Sequence, residues 1–509
     1  MIHGMYLGVD CGTQSLKVIV WDPGSESLIS SSQGYGLISG LPPGHKEQHP
    51  QTWIEALDAC MERLAGQGAD LSRVRAIGVS GQQHGLVLLD RSDRVLRPAK
   101  LWNDTSTGAQ CRRILDAAGG LDAYREEIGN SLPPGFTASK ILWVKENEPD
   151  TYRRAVTFLL PHDYLNLHLT GEKTAEAGDA SGTGYFQVAG RAWSERALKW
   201  LDPARDLAAC LPRLIGAREP AGTLRSSLAG KWGLPAGVRV SSGGGDNMMG
   251  AIGSGNVSGG KVTVSLGTSG TLYGYSSTPV LDPQGEIAGF CDSTGGWLPL
   301  ACTMNVTVAT EMVRTGFSLA SLEEFNRRIE AVPPGSDGLI LLPYLEGERM
   351  PDVPEGTGVL LGLRPRTALP GHLARASMEG VTLGLRYGLD RLRELGARPD
   401  EIRLIGGGSR SRVWRQIAAD VFGCPVVSLS QEEGPAFGAA LQAAWCREEE
   451  SLETWVERFV RLDGSSRRLP SRSGQELYER VYSVYRELSD TLIASPVFAG
   501  HRQLINRKD

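Results

Sequence analysis

The stretch MYLGVDCGTQSLKVIVWD (5–22) decides how this chain is read. Residues 5–10 are apolar and alternating, CGTQS (11–15) supplies small and hydroxyl-bearing turn residues, and LKVIVWD (16–22) resumes the strand pattern. This predicts a β-hairpin whose connection is rich in backbone donors and hydroxyls. The same design returns at KVTVSLGTSGTLYGYS (261–276), again strand, Gly/Thr/Ser turn and strand. After the first hairpin, WIEALDACMERLA (53–65) has helical spacing and VRAIGVSG (74–81) reads as a buried strand. A similar hairpin opening each half predicts two related α/β domains.

The rest of the chain fits that frame. At 509 residues it exceeds one ordinary core. LARASMEGVTLGLRYGLDRLRELG (373–396) and VWRQIAADVFG (413–423) predict helices around a buried strand, IRLIGGG (402–408). EGPAFGAALQAAW (433–445) predicts a small-residue helix packed closely against a neighbour, GQELYERVYSVYRELSDTLI (474–493) an amphipathic helix, and HRQLINRKD a frayed tail. Lys+Arg 53 against Asp+Glu 58 leaves a formal charge of -5 without long runs of either sign, which argues against nucleic acid or a membrane as partner. Eight cysteines without a C-x-x-C pair point to free thiols in a reducing compartment. No leader pattern opens the chain, and no stretch approaches the roughly 18 apolar residues of a membrane span, so a cytoplasmic location is expected.

Several segments are candidates for chemistry. GNVSGGKV (255–262) has P-loop spacing, but Val262 stands where the hydroxyl residue belongs and a strand follows instead of a helix, so the P-loop reading is set aside. The two hairpin turns offer another way to hold phosphate: Gly12, Thr13, Gln14 and Ser15 from one, Gly267, Thr268 and Ser269 from the other, with Lys17 adding charge. Asp10, at a strand end beside the first turn, suits Mg²⁺ held through water; each turn alone also reads as an ordinary one, with Asp10 capping it. Gln82, Gln83 and His84 follow a buried strand, where open α/β sheets read ligands, though a loop histidine satisfied by backbone fits too. Trp102, Asn103 and Asp104 combine a flat ring with polar acceptors suited to a polyol, or a buried ring near a turn acid. In SSGGGDN (241–247) three glycines precede Asp246 and Asn247, making Asp246 either a turn acid or a group presented to a ligand. Gly406, Gly407 and Gly408 would let an adenine lie flat, with Ser409 or Ser411 bonding it; alternatively Ser409 is an N-cap.

Taken in order, GVDCGTQS, PGFTASKILWVKENEP (134–149), SSGGGDN, SLGTSG, LLPYLEGERMPD (341–352), IGGGSRS and EGPAFGAALQAAW resemble the FGGY carbohydrate kinases, over nearly the whole chain from about Met5 to about Trp445. The resemblance implies two actin/hexokinase-like (ribonuclease H-like) α/β domains with a cleft between them: 1–250 for sugar and the first phosphate turn, 251–480 for the second phosphate turn and adenosine, and a C-terminal helix and tail over 481–509. It implies ATP-dependent phosphorylation of a ketopentose. SGQQHG, WND, PGFTASK and PYLEGER are most similar to the members that act on xylulose, whereas glycerol-specific members carry arginine and glutamate in the QQHG loop. Two positions depart from the common pattern: Gln83, where methionine is more frequent, and Ser106, where many members have arginine.

Carried over residue by residue, the resemblance makes Asp246 the general base and Asp10 the organiser of Mg-ATP. Gln83, His84, Trp102, Asp104 and Asn247 would lie at the sugar. Gly12, Thr13, Gln14, Ser15, Lys17, Gly267, Thr268 and Ser269 would lie at the phosphates, and Gly406, Gly407 and Ser411 at the adenosine. The glycines before Asp246 would let sugar and γ-phosphate approach the backbone. A homodimer is a family-level expectation. The readings left beside it are a kinase for ribulose, fuculose or another polyol, and a non-catalytic actin-like ATP-binding module.

Overall fold

The computed structural model describes residues 4–431 and 434–505, so residues 1–3, Glu432, Glu433 of the small-residue helix segment and 506–509 of the tail lie outside the described residues. The chain forms two compact units. The first comprises Met1–Ser258, Tyr275–Pro299 and Glu433–Val460; the second comprises Gly259–Gly274, Leu300–Glu432 and Arg461–Asp509.

In the first unit, β1 (Met5–Cys11), β2 (Ser15–Asp22) and β3 (Ser27–Gly34) form the antiparallel meander that the opening hairpin predicts. Helix α1 (Pro50–Gly66) buries Trp53, Leu57, Cys60, Met61 and Leu64, the face its periodicity marks. β4 (Val74–Gly81) runs parallel to β1 with Cys11 opposite Gly81, so both strands finish at one edge of the sheet. Past Arg239–Val240, which also pairs with β4, Gly244 and Gly245 extend the parallel pairing to Ser80 and Gly81. Two further helices matter for the site, α2 (Thr137–Asn147) and α3 (Asp246–Gly253).

The small-residue helix Gly434–Arg447 lies against this sheet and against α3. A Cβ on Gly8 would stand 1.9 Å from Ala436 O, one on Gly78 would stand 2.0 Å from Ala439 O, and one on Gly438 would stand 1.8 Å from Met249 O. Only glycine permits backbones this close, and the close packing fixes where α3, and so Asp246, begins.

In the second unit, β5 (Lys261–Leu266) and β6 (Gly270–Gly274) make the second hairpin, and β7 (Glu401–Ile405) pairs in parallel with β5. Residues 300–303 flank β6, and Val426–Leu429 and Leu462–Arg468 continue the sheet beyond β7. Helix α4 (Arg412–Phe422) follows β7. The predicted helices at 373–396 and 474–493 span Pro370–Glu394 and Arg472–Ala494. The tail reading is corrected in part, because residues 501–505 continue a helix, Val497–Ile505. Among the described residues no helix is long and apolar enough to cross a membrane.

Candidate active site

Three segments leave the sheet of the first unit side by side. β1 delivers Asp10 and the turn Gly12–Gln14, β4 delivers Gln82, Gln83 and His84, and the Gly244–Gly245 pairing delivers Asp246 at the start of α3. Asp10 is half-buried opposite Ser80, whose Oγ donates to Asp10 Oδ1 at 2.9 Å, and it pairs across the hairpin with Lys17.

Asp246 Oδ1 accepts from Asn247 N at 2.8 Å and Asn247 Nδ2 at 3.1 Å. Asn247 Nδ2 also donates to Gln83 Oε1 at 2.9 Å, and Gln83 Nε2 meets Met248 Sδ at 3.4 Å. Burial, then the charges of Asp10 and Asp179, push the Asp246 carboxyl up to about 7, against the opposing hydrogen bond from Asn247. Asp179 is fully buried and held by His162 Nδ1 at 2.6 Å. A helix N-terminus ordinarily favours the charged carboxylate, so the shift shows that burial and like charge win here.

The three glycines before Asp246 are required by the protein's own packing, because its own atoms occupy the place of each missing Cβ. Gly243 has φ +74, and a Cβ there would meet Val79 O at 2.6 Å. On Gly244 it would meet Ser293 Oγ at 2.4 Å, and on Gly245 it would meet Gln83 Cγ at 2.7 Å.

The first turn is organised by Gln82, which is buried and which the resemblance assigns to neither sugar nor phosphate. Its Nε2 donates to Gly12 O at 3.3 Å and Gln48 Oε1 at 3.0 Å, and its Oε1 accepts from Thr13 Oγ1 at 3.1 Å. Thr13 Oγ1 in turn accepts from Trp102 Nε1 at 2.9 Å, while Gln48 Nε2 holds Thr13 O at 2.6 Å and Tyr35 Oη holds Gly12 O at 2.7 Å. The Gly12 N–H closes the turn on Ser15 O at 3.0 Å, so this donor is spent inside the hairpin. Gln14 is exposed, and Ser15 and Lys17 are half-buried.

Asp104 is corrected from a sugar contact to a fixture of its own loop. It is fully buried and accepts from Lys46 N, Lys100 Nζ, Ser106 N and Ser106 Oγ, which leaves neither oxygen for a substrate. His45, Glu47 and Asp104 converge as a metal trio would, but Lys100 Nζ sits among them, at 3.2 Å from His45 Nδ1, 3.1 Å from Glu47 Oε1 and 3.0 Å from Asp104 Oδ2. The ammonium takes the place of a cation. It also contacts Ser106 Oγ at 3.0 Å, so the positive charge near Ser106 comes from Lys100.

In the second unit, the turn Gly267–Ser269 is pinned by Thr307 N on Gly267 O at 2.9 Å and Val306 N on Thr268 O at 3.0 Å, with Thr268 exposed. Gly406, at φ +81, lies against Leu266 O, where a Cβ would approach to 2.9 Å. Gly406 and Gly407 are exposed, and a Cβ on Gly407 would meet nothing within 4 Å. Ser411 caps α4 through Trp414 N at 3.3 Å and donates to Asn326 Oδ1 at 2.9 Å, whereas Ser409 Oγ returns to Gly406 O at 2.7 Å. The N-cap is therefore Ser411, not Ser409.

The first unit thus gathers Asp10, Gln83, Asp246, Asn247, Trp102 and the first turn, and the second gathers its own turn with Gly406, Gly407 and Ser411. Gln48, Asp179 and Asn326 escaped the sequence reading; Gln82 was singled out by its place directly after the buried strand but was not assigned to the site.

The N-terminal domain of the FGGY family of carbohydrate kinases matches residues 5–253 and its C-terminal domain matches residues 262–446. The chain is 42% identical to the xylulose kinase of Haemophilus influenzae over 94% of its length and 98% of that relative. It is 35% identical to the Escherichia coli xylulose kinase, covering 96% and 99%. A Brucella ovis crystal structure described as a xyloylose kinase superposes with a TM-score of 0.90 at 32% identity, covering 96% of this chain and 99% of that one.

Proposed function

Because this chain belongs to the FGGY family of carbohydrate kinases and is an ATP-dependent sugar kinase, we propose that it converts D-xylulose to D-xylulose 5-phosphate by in-line transfer of the ATP γ-phosphoryl group, with Asp246 as general base. The observation that carries this reading is the Asp246 carboxyl raised to about 7 and tied through Asn247 to Gln83. A base poised near the working pH combines the deprotonated form with enough basicity to take a hydroxyl proton. Phosphoryl transfer passes through a loose transition state, so the chain contributes mainly alignment and charge.

Gln83, His84, Asn247 and the face of Trp102 hold the ketose, and Asp104 stiffens the loop that carries Trp102. The turns at 12–15 and 267–269 hold phosphates, with Lys17 adding positive charge. Gly406 and Gly407 offer bare backbone to the adenosine, with Ser411 at its edge. Asp10 fits a hydrated Mg²⁺: it is a half-buried carboxylate, bonded by the neutral Ser80 hydroxyl and close enough to Asp246 to raise its pKa, the hard anionic setting such an ion prefers. Bound with ATP, the ion would neutralise phosphate charge. The relatives' names support xylulose as the ketose, and eight cysteines without a disulfide fit a reducing cytoplasm.

The test is ADP release from Mg-ATP with D-xylulose, D-ribulose, L-xylulose, L-fuculose, glycerol or no sugar. Release that depends on D-xylulose is expected. A signal with another polyol would keep the chemistry and discard the ketose, and sugar-independent turnover would restore the nucleotide-module reading.

A further inference from the structure

The segment PGFTASKILWVKENEP (134–149) takes no part in the chemistry above, yet its lysine occupies an unusual place. Lys140 lies on α2 and is 0% exposed. Among the described residues, the hydrogen bonds of its Nζ run to main-chain carbonyls, His84 O at 2.6 Å and Gly135 O at 2.7 Å. Burial pushes its pKa well below the usual lysine range. A buried amine is costly unless hydrogen-bonded, and these two carbonyls supply the bonds.

What they hold is strained. His84 has φ +63, the left-handed region that a residue with a Cβ rarely adopts. Its carbonyl receives a second donor, Thr137 Oγ1 at 3.1 Å. Its ring lies 4.7 Å from Phe136 and 5.9 Å from Phe290, and Gly182 packs at its edge, where a Cβ would come within 2.1 Å of Cε1. The other carbonyl on Lys140 belongs to a loop seated on Trp102: a Cβ on Gly135 would stand 2.3 Å from Trp102 O. One amine therefore ties the loop bearing His84 to the loop packed on Trp102.

We propose that Lys140 is a positioning residue for sugar recognition, clamping the His84 main chain in its left-handed conformation so that the imidazole, packed against Phe136 and Phe290, meets the sugar in one orientation. This rests on the reading of His84 as a sugar contact. Lys140 acts through His84 and has no part in nucleotide binding, so its loss raises the KM for the sugar and leaves the KM for ATP in place.

The experiment is a double-mutant cycle on the full chain, measuring both KM values and kcat for the parent, Lys140→Met, His84→Ala and the double variant. Lys140→Met is expected to raise the sugar KM roughly 10-fold or more, because Gly135 O loses its lysine donor and His84 O keeps only Thr137 Oγ1 of its two side-chain donors, with the ATP KM within about 2-fold. In the His84→Ala background the same substitution should add little to the sugar KM, as expected of residues acting in one unit. Multiplicative effects on the sugar KM, or a parallel rise in the ATP KM, would overturn the proposal. An unchanged sugar KM in His84→Ala would instead remove the reading of His84 beneath it. Should Lys140→Met fail to fold, Thr137→Val decides: it removes one donor from His84 O at equal volume, and a several-fold rise confined to the sugar KM is expected, whereas no rise would refute the clamp.

Discussion

The two hairpins are the same device finished in two ways. Each has a three-residue turn, Gly12-Thr13-Gln14 and Gly267-Thr268-Ser269, and in each the first strand pairs in parallel with the strand that supplies the next loop. Two residues before the turn glycine stands Asp10 in the first and Ser265 in the second. Asp10 faces Ser80 across the parallel pair, whereas Ser265 faces Ile405. Past those strands the first unit continues with Gln82, Gln83 and His84, and the second with Gly406, Gly407 and Gly408. One scaffold thus carries, in the first unit, the acid and amide side chains to which the proposed function gives proton transfer and sugar binding, and in the second, bare backbone and hydroxyls that would suit phosphate and a flat base.

The sharpest way to break the comparison is to remove the acid at the start of α3 in the first unit. Asp246→Asn keeps the shape and the bond from Asn247 N but takes no proton, so kcat should fall about 10²–10⁴-fold while the ATP KM stays within a few-fold; steady-state kinetics decide, and near-normal turnover would end the general-base role. Asp10→Ser, which gives the first hairpin the residue of the second, should lower kcat by roughly 10² through lost electrostatic organisation. It should also move the pH profile. As the proposed general base Asp246 would work deprotonated, and burial followed by Asp10 holds its carboxyl up at about 7, so activity should rise with pH through about 7. Without the Asp10 charge the folded-state pKa falls, and the acid limb of kcat/KM for the sugar moves to lower pH. A limb that stays in place would mean that Asp10 does not set it.

Both hairpins were legible because alternation and turn chemistry are local, and so was the close packing of the small-residue helix, since Gly and Ala every few positions leave room for little else. What sequence did not disclose are the contacts made across long separations. Lys140 reaches His84 from a helix, Gln82 reaches Gln48 and Thr13, and Asp179 meets His162 within a buried cluster. Glycines and acids misled for a related reason. Gly243–Gly245 and Asp104 carry the residue types of a ligand site, but whether a side chain or a bare backbone faces a ligand or its own protein depends on tertiary neighbours.

That ambiguity yields a finer test, one glycine from each unit. Gly245 has φ -65, so alanine is unstrained there and its effect is steric alone. The added methyl would collide with Gln83 Cγ, Nε2 and Cδ at 2.7–2.9 Å and displace the amide that holds Asn247. Gly245→Ala should therefore raise the sugar KM about 10-fold and cost about 1–3 kcal/mol of stability, the usual result of overpacking. Gly407 also lies outside the left-handed region, but a Cβ there meets nothing within 4 Å. Gly407→Ala should leave stability within about 0.5 kcal/mol and raise only the ATP KM, by a few-fold, because the methyl stands where the adenine would lie. Thermal unfolding with paired KM measurements separates the two. If Gly407→Ala lowers stability, or spares the ATP KM, then the glycines of the second unit serve the protein's own packing as those of the first do, and the contrast between the two hairpins narrows to Asp10 and Ser265.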